Sequence, residues 1–127
     1  MTSPVVSIGY VANLYSRQMH FVHAGDTEIG HTHQFDHLTL LAKGRLKVTV
    51  EGTATEFAAP QMIYIHADKF HALEALVDDT VAYCIHALRS KETGDILDPS
   101  MVPVGVNPLS LSQQVTVGRG HLPIVSE

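Results

Sequence analysis

The chain has 127 residues, 45% of them hydrophobic, and a formal net charge of −5 with histidine neutral. That is enough apolar material for one domain with a proper core, and too short a chain for two ordinary domains. Only 8 Lys and Arg stand against 13 Asp and Glu, in no basic stripe, which argues against nucleic acid or an anionic membrane surface as a partner.

The opening Met-Thr-Ser-Pro-Val-Val has no basic or signal-like stretch, and no apolar run reaches the length of a membrane span. The single cysteine, Cys84, cannot form an internal disulfide, which fits a reducing compartment. The expectation is a soluble, cytoplasmic protein of one domain over 1–127.

Long helical periodicity is missing, and short β-rich runs broken by Gly, Asp and Pro fill residues 5–90. The first distinct run is Met19–His23, followed by the turn signal Ala24-Gly25-Asp26. Thr27–His33 and His37–Ala42 come next, then a turn at Lys43-Gly44. Leu46–Val50 alternates apolar with polar, Glu51-Gly52 turns the chain, and Thr53–Phe57 follows. Pro60 precedes Met62–Ile65. Ala67-Asp68-Lys69 reads as a loop leading into His71–Val77, and Asp78-Asp79 as a turn before Val81–Leu88. Many short strands with regular turn signals predict an antiparallel sandwich or barrel, its core at about residues 15–90. Residues 91–127 are punctuated by Pro and Gly. They read as an irregular C-terminal arm, ordered because Ile96, Leu97, Met101, Val102, Val104 and Val106 would be costly to leave in water.

The feature that points to chemistry is His31-Thr-His33-Gln-Phe-Asp-His37. Imidazole is the commonest metal-ligating side chain, binding through a neutral ring nitrogen. The intervals between the three histidines are all even, and even spacing on a strand puts side chains on one face. His71 lies far enough along the chain to return on a neighbouring strand. Four imidazoles can hold one divalent transition metal (Fe, Mn, Ni, Cu, Zn or Co), and the Irving–Williams order leaves the choice among them open. A purely structural zinc site is less apt, since such sites usually recruit cysteine. His20, His23, His86 and His121 read as structural histidines, and His66 as surface or outer support for the site.

The spacing Gly25, five residues, His31, one residue, His33, three residues, His37, six residues and Gly44 resembles the first sequence motif of the cupin superfamily. Four of the five fixed positions agree, and the fifth carries His37 where the family usually has Glu. The second cupin motif agrees in spacing at its metal-binding histidine, His71. Its other fixed positions hold Pro60, His66, Asp68 and Ala75, which depart from the pattern. The resemblance covers roughly residues 15–90. It implies a double-stranded β-helix, the cupin jelly-roll barrel, a mononuclear metal site and a habit of homodimerisation in which the arm could take part.

Parity extends the reading to a pocket. Thr27, Ile29, Phe35, Thr39 and Leu41 share the expected inward face of His31 and His33, and Leu73 and Ala75 share that of His71. This mostly apolar lining would exclude water around a small-molecule ligand. No inward Asp, Glu or Lys emerges from parity. Tyr64 and Tyr83 are possible proton donors, Glu74 reads as solvent-facing, and no catalytic residue is named beyond the metal ligands. Replacing Glu by His37 leaves a divalent site at a formal +2 instead of +1, a stronger Lewis acid suited to an anionic oxygen chelator. The expected function is that of a metal-dependent enzyme on a small oxygenated metabolite, foremost a dioxygenase. The alternatives are a non-redox isomerase, decarboxylase or lyase, and a non-catalytic ligand-binding protein.

Overall fold

The computed structural model describes residues 2–31, 36–95, 97 and 115–118; for Tyr10, Val11, Ile29–His31, His37 and 115–118 it describes the backbone alone. Ten strands lie within those residues. They are β1 (Val5–Val11), β2 (Leu14–Phe21), β3 (Thr27–His31), β4 (His37–Lys43) and β5 (Arg45–Val50), then β6 (Thr53–Ala58), β7 (Gln61–Ile65), β8 (His71–Ala75), β9 (Thr80–Ala87) and β10 (Val115–Gly118). A six-stranded sheet runs in the order β10-β1-β2-β9-β4-β7 and a four-stranded sheet in the order β3-β8-β5-β6. Every pairing is antiparallel.

Side-chain alternation decides which face of each strand turns inward. Along β8 buried and half-buried positions alternate from His71 to Ala75. Met19, Phe21, Leu41, Ile63, Ile65 and Ala82 of the larger sheet pack against Leu46, Val48, Leu73 and Ala75 of the smaller one in a single core. Burial of Phe21, Met19, Leu41 and Leu46 is complete, and each such side chain contributes about 1.5–3 kcal/mol of hydrophobic stabilisation. Turn chemistry fixes the registers. Glu51 and Gly52 both have positive φ, 48° and 83°, the two-residue hairpin conformation that suits the strand twist, and they close the pair Val50↔Thr53.

Two elements extend the predicted barrel. β1 lies upstream of residue 15 and pairs along its whole length with β2, from Val5↔His20 to Val11↔Leu14. Gly9, a poor strand residue, disguises it in the sequence. Within the C-terminal arm, β10 adds to the free edge of β1, with Ser7 opposite Gly118 and Tyr10 opposite Val115. No helix among the described residues is long and apolar enough to cross a membrane.

Candidate metal centre

The four candidate ligands come from three segments of the chain. His31 is the last residue of β3 and His71 the first of β8, and the two stand directly opposite each other in the β3–β8 pair. On its other side His71 is opposite Val50 of β5. His37 opens β4 and stands opposite Ile65 of β7. His33 lies outside the described residues, in the segment joining β3 to β4.

His71 is 3% exposed, and its Nδ1 is 3.0 Å from the Lys69 carbonyl oxygen. A carbonyl only accepts, so the proton of the neutral ring is on Nδ1 and Nε2 carries the lone pair. A ring nitrogen tied to a backbone carbonyl is the arrangement that orients metal-ligating histidines. The Lys69–His71 segment is itself held, since Glu51 N–H donates to the Phe70 carbonyl at 2.8 Å. Asp68, in the turn just before, takes a left-handed φ of 63°.

The start of β4 is tied to the end of β7. Asp36 Oδ1 accepts the Ala67 N–H at 2.6 Å. The Tyr64 hydroxyl donates to the same carboxylate, and that bond and its charge raise the Tyr64 pKa. Tyr64 is 55% exposed and meets His66 edge-on, with ring centroids 4.7 Å apart. It faces outward and supports the His37 position from outside the barrel. Tyr83 accepts from Gln18 Nε2 at 2.6 Å, on the outer face of the larger sheet. Tyr83 is thus no inward proton donor, and the Tyr64 hydroxyl is committed to Asp36.

Of the expected lining, Thr39, Leu41, Leu73 and Ala75 are all buried. Phe35 lies outside the described residues, and only the backbone of Ile29 is described. Thr27 needs correction. The register of β3 shifts between Glu28 and His31, and a bulge reverses the facing of everything before it. Thr27 is opposite Glu74, on the outer face where Glu74 meets Lys47 Nζ at 3.4 Å. The bulge turns Glu28 inward in its place, opposite the buried Leu73. An inward carboxylate therefore exists, contrary to the parity reading. It meets Arg17 Nη1 of β2 at 2.8 Å, bracing one sheet against the other. Burial opposes the Arg17 charge, but the hydrogen bond and charge of Glu28 outweigh it and raise the guanidinium pKa.

Two further inward residues were missed. Tyr15 of β2 is opposite His86 of β9, and their rings stack at 4.6 Å. The β4–β9 register reaches Leu38↔Ile85, and His37 and His86 are the next residues of the two strands. His86 Nδ1 is 2.9 Å from the Ala87 carbonyl oxygen, which again leaves Nε2 as the lone-pair nitrogen. One row below, Cys84 is opposite both Arg17 and Thr39. Burial pushes its thiol pKa up, which makes it a packing group and not a nucleophile.

A cavity of about 180 Å³ opens between β5, β6 and β7, walled by Val48, Val50, Phe57, Ile63 and Ile65 together with Thr53, Thr55 and Tyr64. Val50 neighbours His71 and Ile65 neighbours His37, so the cavity adjoins the histidine positions. A larger, open hollow of about 480 Å³ involves His23, Asp26 and Glu74, at the other end of β8 from His71. No three His, Cys, Asp or Glu side chains among the described residues form a rival metal site.

No protein-family model matches the chain, and no curated protein matches it. Solved structures do. An RmlC-like cupin with a double-stranded β-helix fold from Methanocaldococcus jannaschii superposes with a TM-score of 0.60 at 12% identity, over 68% of this chain and 82% of its own. A cupin superfamily protein from Desulfitobacterium hafniense gives 0.59 at 16% identity, over 68% and 80%. KdgF from Halomonas sp. gives 0.55 at 17% identity, over 72% and 76%. The fold is thus that of the cupin superfamily, a double-stranded β-helix.

Proposed function

We propose that this cupin barrel holds one divalent transition-metal ion (Fe, Mn, Ni, Cu, Zn or Co) through His31, His33, His37 and His71. A small anionic, oxygen-bearing ligand would bind beside it. The observation that carries the reading is the direct opposition of His31 and the buried His71, whose Nδ1 contact with the Lys69 carbonyl presents Nε2 as the donor. Such an ion would supply Lewis acidity, and with Fe or Mn redox chemistry, to an enolate- or carboxylate-like ligand. The chain's own part is to hold the donors, keep water out with the apolar wall of Val50, Phe57 and Ile65, and admit the ligand through the adjoining cavity. Dioxygenase chemistry on a small metabolite is the leading reaction, in a cytoplasmic homodimer.

Non-redox isomerisation, decarboxylation or β-elimination is the second reading, favoured by the inward Glu28 as a proton acceptor. The test is metal content per chain for wild type and for each His→Ala variant, with oxygen uptake by Fe(II)-loaded protein on a panel of 1,3-diketones and 2-hydroxy acids. One equivalent of metal, lost in each variant, is the expected result. Retention in a variant removes that histidine from the set. Metal binding with turnover but no oxygen uptake selects the non-redox reading.

A further inference from the structure

Neither reading explains Arg17, a guanidinium on the inner face of the barrel. Its Nη1 meets Glu28 Oε1 at 2.8 Å and Met19 Sδ at 3.6 Å. Among the described residues no acceptor meets its Nη2 or Nε. Solvent still reaches the pair, with side chains 24% and 16% exposed, although strand pairing turns both inward. An ion pair set among apolar side chains adds little net stability, because desolvating two charges offsets their attraction. A strut alone would be as well served by hydrophobic residues.

The position fits a ligand held at the histidines. Arg17 is two residues along β2 from Tyr15, which is opposite His86, and through Cys84 it shares a row with Thr39, two residues along β4 from His37. Two residues of strand span about 7 Å. On the facing sheet Glu28 is opposite Leu73, two residues along β8 from His71. A guanidinium one row below the histidine positions, with donors that no described acceptor meets, is placed to take the far end of a short acid chelated at those histidines, and its planar fork matches a carboxylate.

We propose that Arg17 is a specificity residue that binds a second carboxylate of the metal-held ligand, and that Glu28 masks this guanidinium until the ligand arrives. The ligand class is then a short dicarboxylate. This rests on the metal-binding reading, so the experiment separates the two.

The probes are malonate and succinate against acetate and propionate, titrated into Ni(II)-loaded wild type, Arg17→Met, Arg17→Lys and Glu28→Gln, with metal content and melting temperature measured first. A strut and a recognition site predict different signs. If the pair only braces the sheets, Arg17→Met and Glu28→Gln act alike. If Arg17 reads a carboxylate, wild type prefers a dicarboxylate over the matching monoacid by about tenfold or more, the scale of one charge-assisted hydrogen bond. Arg17→Met abolishes that preference with monoacid affinity unchanged, Arg17→Lys retains part of it, and Glu28→Gln increases it. No preference in wild type, or a shift in the same direction for Arg17→Met and Glu28→Gln, overturns the inference while the metal reading stands. A wild type that takes up no metal overturns both. Should Arg17→Met fail to fold, Glu28→Gln and Arg17→Lys decide by the same signs.

Discussion

The two motif glycines differ in what their positions demand, and alanine at each separates the demands. Gly25 and Gly44 both have φ near +90°, a conformation that costs an L-residue roughly 1–2 kcal/mol. Around Gly25 there is open space for a methyl group. At Gly44 a Cβ would stand 2.9 Å from Thr80 Cα and 3.0 Å from Thr80 Cβ. Thr80 is fully buried and its hydroxyl bonds to the Val77 carbonyl, so neither its backbone nor its side chain can give way. Crowding of that kind adds about 1–3 kcal/mol. Gly25→Ala should therefore lose about 1–2 kcal/mol and Gly44→Ala about 2–5 kcal/mol in all. Urea unfolding followed by far-UV circular dichroism measures both. Because Gly44 joins the strand that begins at His37 to the strand that ends at Val50, its variant should also weaken metal retention. Equal losses at the two glycines would refute the reasoning, since left-handed backbone would then be the whole cost and the Thr80 contact immaterial.

Four further outcomes are expected. Leu41→Ala should cost about 2–5 kcal/mol in the same unfolding assay, as for other fully buried leucines. Chelation with EDTA should lower the melting temperature without abolishing the fold, because the metal stabilises by mass action a barrel whose core is apolar; complete unfolding would instead indicate a structural zinc domain. His37→Glu should still bind metal but hold acetylacetonate more weakly, the site's formal charge having fallen by one; equal or tighter binding would leave His37 a geometric substitute only. Asp79 has its pKa lowered by Lys43 and His20 from the ordinary 3.8. Its contribution is thus present above 3.8 and lost as pH falls through the lower folded value, so Asp79→Asn should flatten the melting curve's acid limb there and nowhere else.

The barrel was legible because its signals are local. Alternation in Leu46–Val50 and His71–Ala75, and turn residues at Lys43-Gly44 and Glu51-Gly52, fall where strands and turns occur. β10 was not legible, since only pairing with β1 distinguishes Val115–Gly118 from its Gly- and Pro-rich surroundings. The site was read by counting parity, and parity holds only while the register does. From His37 to Leu41 and along β8 it does, hence the buried Thr39, Leu41, Leu73 and Ala75. Along β3 a single extra residue between Glu28 and His31 exchanged Thr27 for Glu28. A bulge leaves no mark in composition; its cue is Gly30, a residue that in a strand often accompanies one. Arg17, Tyr15 and His86 were missed for another reason. Each looks ordinary alone, and only strand pairing sets Tyr15 opposite His86 and places Arg17 one row below them. The cavity wall of Val48, Val50, Ile63 and Ile65 follows the alternation of β5 and β7, strands that carry no histidine to mark them.

Everything proposed for the site depends on one ion held by four imidazoles. Anomalous scattering from crystals of metal-loaded protein, recorded on both sides of the metal's absorption edge, tests it most directly. One peak per chain is expected, within about 2.0–2.3 Å of a ring nitrogen of each of His31, His33, His37 and His71, with Nε2 the ligating atom of His71. A peak elsewhere, or any of the four imidazoles turned away from an occupied site, would contradict it.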